Sequence, residues 1–471
     1  MAVSLTPQFN PLVHDYVTQC TGIPSVQLTV ALPPNVAIGL VEPSGATVPS
    51  QTYKSGRFQQ TMTMAAGQRL QFSLSTQSEG YSVRCLPADF PPLQVPKSTV
   101  GDPTLTNNES TLPQAQWYVF ALGLGHTVGV AAPPSYVIIA DAHGTPVWWM
   151  SEPLGSVLDA KVLSGNQVAW TTQTAGQYFL RNFSGELLNT LTGNLDDHEL
   201  RLTPQATYLV IQTVQRVCPP DCADMSPWGG SASAAVIDAE IHEIDSSSNV
   251  IWKWRTRDHI ALFETGQESW FPGVGNDIIH MNAVSYVDPD HLLFSARHLN
   301  AIYRITKSTG AIDWKIGGAP RAESLTVTED IRPTALGPKG VVLNGQHDVR
   351  YWPDGTVSVH DNGTDANRPP FVVRYQIDMS SKTAEVVEEF TDARVAFSAC
   401  CGSARRISGG HWLVDWGDNQ LATEMVQGLP VLTIQYPTSG LFSYRAVPVL
   451  PGVVSADTLR AGMDAMAAAA Q

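Results

Sequence analysis

The stretch "HMNAVSYVDPDHLLFSARHLNAIYRITKSTGAIDWKIGG", residues 280–318, decides the fold. An apolar-polar run breaks at Asp288-Pro289-Asp290 and resumes, and the form repeats around Ser308-Thr309-Gly310. Runs of this kind, punctuated by Pro, Gly and Asp, mark short strands joined by tight turns. Two such hairpins in succession make one four-stranded unit, whose last strand carries Trp314. The halves recur. "LDAKVLSGNQVAWTTQ" (158–173), "HELRLTPQATYLVIQT" (198–213), "HDVRYWPDGTVSVHDN" (347–362) and "GSARRISGGHWLVDWG" (402–417) repeat the first half. "SYVIIADAHGTPVWWM" (135–150) and "EIHEIDSSSNVIWKWR" (240–255) repeat the second, Trp included.

Repeated four-stranded units, with almost nothing helical before residue 452, predict an all-β chain built as a β-propeller. Five units are nearly complete. A sixth forms if late strands near "PVLTIQYP" and "LFSYRAVPV" join the early "WYVFALGL", which gives a six-bladed β-propeller over residues 117–452. Residues 1–95 hold shorter alternating strands such as "SVQLTVAL" and "RLQFSLST", expected to form a small Ig-like β-sandwich. Residues 96–116, rich in Pro, Thr and Asn, read as a linker. Residues 453–471 end the chain as an Ala-rich capped helix or a frayed tail. Two segments, "CPPDCADMSPWGGSASA" and "HIALFETGQESWFPGVGND", are too long for blade turns and read as insertions.

The chain has 471 residues with a net charge of −15, which argues against a nucleic-acid partner and against adsorption to anionic lipid. No run approaches the length of a membrane span, and "MAVSLTPQFN" lacks the features of a signal peptide. The six cysteines fall in loop-like pairs: Cys20 with Cys85, Cys218 with Cys222, and the adjacent Cys400 and Cys401. An even, paired count points to disulfides and an oxidising compartment, hence a secreted or periplasmic protein, with the cytoplasm as the alternative if the missing signal is taken at face value. Oligomeric state stays open, a homodimer being one option.

In a propeller the innermost strands line one channel, so residues that open each unit converge in space. Those residues are His198, His280 and His347. Asn282, two past His280, shares its side of an extended strand, and Arg297 closes the paired strand. Three imidazoles suit a metal site, or they suit the handling of an oxyanion. Arg297 favours the second, because its planar fork matches a tetrahedral oxyanion and repels a divalent cation. No metal and no other cofactor is therefore expected.

The motifs "DDHEL" (196–200), "HMNAV" (280–284), "LLFSARHLNAIYRI" (292–305), "IDWKIGG" (312–318), "GQHDVRYWPDG" (345–355) and "HDNG" (360–363) resemble those of the PAPS-independent arylsulfate sulfotransferases, bacterial β-propeller enzymes. The resemblance spans residues 115–435. It implies transfer of a sulfuryl group from an aryl sulfate to a phenolic acceptor, through a sulfohistidine and in ping-pong order. It also implies that His347 is the nucleophile, that His198, His280, Asn282 and Arg297 surround the sulfuryl oxygens, and that His198 or His280 deprotonates the acceptor. The family's channel hydroxyl does not align; Ser398 and Ser403 are the candidates. Asp348 is not expected to orient His347, since neighbours on a strand face opposite ways. The competing functions are a metal-dependent propeller hydrolase or lyase using the channel histidines as ligands, and a non-catalytic binding propeller.

Overall fold

Strand-forming runs dominate the chain, and in the computed structural model nearly all regular structure is β; Ala456–Ala469 is the one α-helix among the described residues. These are 4–23, 25–43, 47–53, 56–95, 112–124, 135–153, 155–173, 175–228, 230–264, 276–332, 342–437 and 440–470. Most of the predicted linker and of the second insertion lie outside them.

Six sheets follow one another between Trp117 and Val449. The first is ordered Pro146–Glu152, Ser135–Ala140, Trp117–Leu124, Leu441–Val449, so the last strand of the chain completes a sheet begun by an early one. The other five each start from a leading strand: Val157–Leu163, Leu195–Leu202, Met281–Asp288, His347–Tyr351 and Ser403–Arg406. Each then meanders outward through antiparallel neighbours, and the fifth adds Thr326–Thr328 in parallel at its edge. Of the two late runs expected to close the first sheet, only "LFSYRAVPV" does so, pairing Val447 with Val119. "PVLTIQYP" belongs to the sixth sheet, where Leu429–Gln435 pairs with Leu421–Val426.

Each leading strand packs against the leading strand of the next sheet, and Leu441–Val449 returns to Val157–Leu163. Between sheets the apolar faces bury large side chains. Trp148 is fully buried, donates its indole N–H to the carbonyl of Phe183 at 2.8 Å and meets the Phe183 ring edge-on at 5.8 Å. Burying a side chain of this class contributes about 2–3 kcal/mol.

Asp15–Gln19, Tyr81–Leu86, Arg69–Leu74, Val36–Val41 and Thr47–Tyr53 form a five-stranded sheet, with Val26–Leu32 and Gly56–Met62 as a separate pair. The C-terminal helix, capped by Ser455 accepting from the Thr458 N–H at 3.1 Å, ties this region down. Arg84 reaches Asp464 at 2.8 Å and Arg460 reaches Asp15 at 2.6 Å, while Met463 packs behind Trp149. Disulfides join Cys20–Cys85, Cys218–Cys222 and Cys400–Cys401.

Candidate active site

Cavities of about 590 and 620 Å³ lie along the N-terminal sheets, and among the described residues His143 is the one titratable side chain lining them. The titratable groups gather instead where the leading strands begin. Strand alternation fails there. Register shifts interrupt the ladders between Leu158 and Lys161, Met281 and Ala283, His347 and Arg350, and Ser443 and Ala446. Asp159, His280, Asp348 and Cys401 take left-handed φ of 49°, 47°, 58° and 69°. A bulge inserts an extra residue and re-aims the side chains beside it, and strained non-glycine backbone of this kind gathers at functional sites.

The three histidines come together. The rings of His198 and His280 meet edge-on at 4.9 Å. Tyr444 bridges towards the third, its ring 5.5 Å from His198 and 6.4 Å from His347. His347 is buried, with Nδ1 2.8 Å from Asn362 Oδ1 and 2.9 Å from the Gly345 carbonyl. Both neighbours are acceptors, so Nδ1 carries the hydrogen and Nε2 the lone pair. That lone pair accepts from the Cys401 N–H at 3.2 Å. Burial, then Arg297, hold the His347 pKa well below the ordinary imidazole range, so the ring is neutral at pH 7.

His198 is the opposite case. Burial alone would lower its pKa, but the Asp196 carboxylate, 2.5 Å from Nδ1, outweighs that and holds it well above the ordinary value. Asp197 adds a second carboxylate at 3.1 Å. His280 Nδ1 lies 2.6 Å from Asp277, whose carboxylate also accepts from the His280 backbone N–H. His298, packed on His280 at 4.6 Å, is driven down to about 3 by burial and by His280.

Arg297 donates through Nη2 to the Ala399 carbonyl at 3.1 Å, while its buried Nε has no partner among the described residues. Asn282 is fully buried and donates to the Gln346 carbonyl at 2.9 Å, directly behind His347. Of the two candidate hydroxyls, Ser403 bonds to the Ala446 carbonyl, whereas Ser398 accepts from Asn362 Nδ2 at 2.7 Å and joins the His347 chain. Asp348 does not bond to His347; its carboxylate takes Arg350 and Arg405 at 2.6 and 2.7 Å.

Asn362, Cys400, Cys401 and Tyr444 are not among the expected site residues, although Ser398 of the same loop is a candidate hydroxyl. "HDNG" and the adjacent Cys400 and Cys401 carry a signal for the first three: an amide within a motif of the family resemblance, and a neighbouring pair in an even cysteine count. Gly417 makes the loop's approach feasible, since at its φ of 76° an added Cβ would lie 2.2 Å from both the Cys400 carbonyl and Ser398 Oγ. Beside the histidines, Leu158, Cys401, Phe442 and Tyr444 form a buried apolar cluster with Cys400 packed on it.

A family model described as arylsulfotransferase (ASST) matches residues 120–438. The chain belongs to the arylsulfotransferase family. Its members are transferases that act on aryl sulfates, with phenols as acceptors, and the histidine cluster lies within the matched residues. No curated protein matches the chain. Solved structures similar to this arylsulfotransferase-family chain include a Bacteroides caccae protein, at 10% identity over 71% of this chain and 99% of that one, with a TM-score of 0.43. Another is virginiamycin B lyase of Staphylococcus aureus, at 12% identity over 74% and 89%, with a TM-score of 0.35.

Proposed function

We propose that this family member moves a sulfuryl group from an aryl sulfate to a phenol through sulfated His347. The observation that carries the reading is the state of that ring: neutral, its hydrogen held on Nδ1 by Asn362 and Gly345, its Nε2 lone pair facing the loop that also touches Arg297. In the first half-reaction Nε2 attacks sulfur as the sulfur–aryl oxygen bond breaks. Imidazolium His198 gives its proton to the departing phenolate. In the second, the acceptor phenol returns a proton to His198 and its oxygen displaces Nε2, regenerating neutral His347. The transition state of such a transfer is loose, so fixed positive charge from Arg297 and N–H donors such as Cys401 supply most of the stabilisation. Leu158, Phe442, Tyr444 and the Cys400–Cys401 disulfide take the aryl ring, which needs an apolar wall beside the charged centre.

The six successive sheets are the blades of a six-bladed propeller, closed by the strand Leu441–Val449, and the N-terminal strands are a separate sandwich; the return of that strand to Val157–Leu163 supports this. Three disulfides favour an oxidising compartment.

Intact-mass analysis after mixing with 4-nitrophenyl sulfate, without acceptor, tests the mechanism. One SO3 per chain should appear, discharge on adding phenol, and be absent from His347→Ala. An equal adduct on that variant would overturn the assignment. Two Asp/His groups, Asp277–His280–His298 and Asp196–Asp197–His198, have ligand atoms within 4.8 Å of each other and support a metal-dependent hydrolase or lyase as the second reading. Stoichiometric metal and loss of activity to a chelator would establish that reading instead.

A further inference from the structure

Below the histidines the same leading strands carry a second set of side chains. Leu158-Asp159-Ala160-Lys161, His198-Glu199-Leu200-Arg201 and His347-Asp348-Val349-Arg350 each run histidine-level residue, acid, aliphatic, base. Arg405 and Arg445 join them from the sixth and first sheets. The acids are spanned by cations: Arg445 reaches Asp159 at 2.7 Å, Glu199 at 3.3 Å and Asp348 at 3.3 Å. Arg350 reaches Glu199 at 2.7 Å and Asp348 at 2.6 Å, and Lys161 reaches Asp159 at 2.6 Å.

The charges do not balance. Lys161, Arg201, Arg350, Arg405 and Arg445 are five cations against the carboxylates of Asp159, Glu199 and Asp348, an excess of two. Asp415, which also feels Asp348, is held well above the carboxylate range by burial and adds no compensating charge. Three of these cations keep donors open. Arg201, partly buried, makes no hydrogen bond or ion pair with a described residue, yet lies within the electrostatic reach of Arg350. Arg350 and Arg405 each keep a buried Nε without a partner among the described residues, and burial, then Arg350, push Arg405 down to about 9. Burying unpaired charge costs several kcal/mol per ion.

We propose that Arg201, Arg350 and Arg405 form a second oxyanion site, below the histidines, that takes an inorganic tetrahedral anion of the sulfate class. The Nη atoms of Arg350 are held by Val284, Glu199 and Asp348, so its open Nε–H, that of Arg405 and the Arg201 guanidinium are the donors such an anion would meet, and a charge of −2 would cancel the excess. The site is independent of the sulfohistidine reading, because none of its three arginines bonds to a histidine. An anion bound only by the folded chain raises stability in proportion to the logarithm of its concentration.

The test titrates the full chain with sodium sulfate at constant ionic strength, reading Tm and calorimetric Kd. Wild type should gain Tm with sulfate. Arg201→Gln should lose about tenfold or more in sulfate affinity, the weight of one charged hydrogen bond, while its 4-nitrophenyl sulfate turnover stays within about twofold. Arg297→Gln, altered at the histidine level, should keep the sulfate response. A response abolished by Arg297→Gln and kept by Arg201→Gln would place all the sulfate among the histidines and overturn the proposal. So would the absence of any sulfate response in wild type, or a response that neither variant changes.

Discussion

The histidine level and the ion level are built from the same strands, one to three residues apart, and they differ in what is left unsatisfied. At the ion level the acids are saturated: burial would raise the Glu199 pKa, but Arg350, Arg445 and Lys161 outweigh it and hold the carboxyl well below its ordinary range. At the histidine level groups are positioned but not consumed. The His347 lone pair is held by one backbone N–H, that of Cys401, which an incoming sulfur must displace; Arg297 keeps a buried N–H, and His198 keeps a proton supported by Asp196. The ion pairs below hold the strands in register so that the groups above can present open valences, which is the preorganisation a reacting site requires.

Breaking the lower level should have the largest effect. Asp348→Asn keeps the shape of the side chain and tolerates the left-handed φ, but leaves Arg350, Arg405 and Arg445 without their shared carboxylate. Removing one partner of a buried pair costs about 3–5 kcal/mol, so urea unfolding should show a loss of that size. A loss under about 1 kcal/mol would show that the ion level does not hold the strands together.

The upper level is broken by chemistry rather than by folding. His198→Gln leaves Asp196 and Asp197 without their cation and so costs some stability, but its decisive effect should be to slow the burst with phenyl sulfate by about 10²-fold, the usual worth of a general acid. With 4-nitrophenyl sulfate, whose leaving group needs no proton, the loss should nearly vanish. Equal losses with both donors would remove His198 from that role. In wild type the phenyl sulfate burst should fall on the alkaline side, at a pH well above the ordinary imidazole value, as His198 loses its proton. On the acid side it should fall well below that value, as His347 gains one. The window between is wide because the two shifts run in opposite directions.

Asn362→Leu comes next in size. It removes the acceptor that fixes the Nδ1–H tautomer, leaving the Gly345 carbonyl as the remaining partner at 2.9 Å. A loss of about tenfold in kcat with KM unchanged is expected, since orientation and not substrate contact is lost. A rise in KM alone would contradict this.

What the sequence shows and hides follows from the bulges. The hairpins are legible because strand alternation and turn residues are local, and the convergence of His198, His280 and His347 is legible because each opens the same half-unit. The rule that neighbours face opposite ways breaks down where the backbone turns left-handed. Asp348 was set aside as a partner of His347 on that rule; it indeed makes no such bond, but because three arginines take it. The ion level leaves a trace in the spacing Asp159/Lys161, Glu199/Arg201 and Asp348/Arg350, but that spacing alone does not single out a site. Tyr444 left no local trace: it lies on the strand that closes the first sheet from the far end of the chain.

The smallest effect should come from the Cys400–Cys401 disulfide, and it sharpens the contrast most, because this loop belongs to the upper level without resting on ion pairs. The Cys401 N–H meets His347 Nε2, its carbonyl accepts from Asn362 at 3.0 Å, and Ala399 accepts from Arg297. Those bonds survive reduction, so the loop should loosen and not leave. A small misplacement of reacting groups lowers the rate, by up to about 10²-fold per ångström, and a partial loosening corresponds to a few-fold fall in kcat. The sulfur atoms also belong to the apolar cluster beside Tyr444, so KM for the aryl donor should rise about as much. Cys400→Ser with Cys401→Ser separates this bridge from Cys20–Cys85 and Cys218–Cys222, which lie elsewhere and which a reductant would also attack. If the double variant and reduced wild type share the same kcat and KM, the bridge at the nucleophile carries the effect. If the variant behaves as oxidised wild type does, the backbone bonds alone position the loop, and the disulfide contributes nothing to the chemistry above the ion pairs.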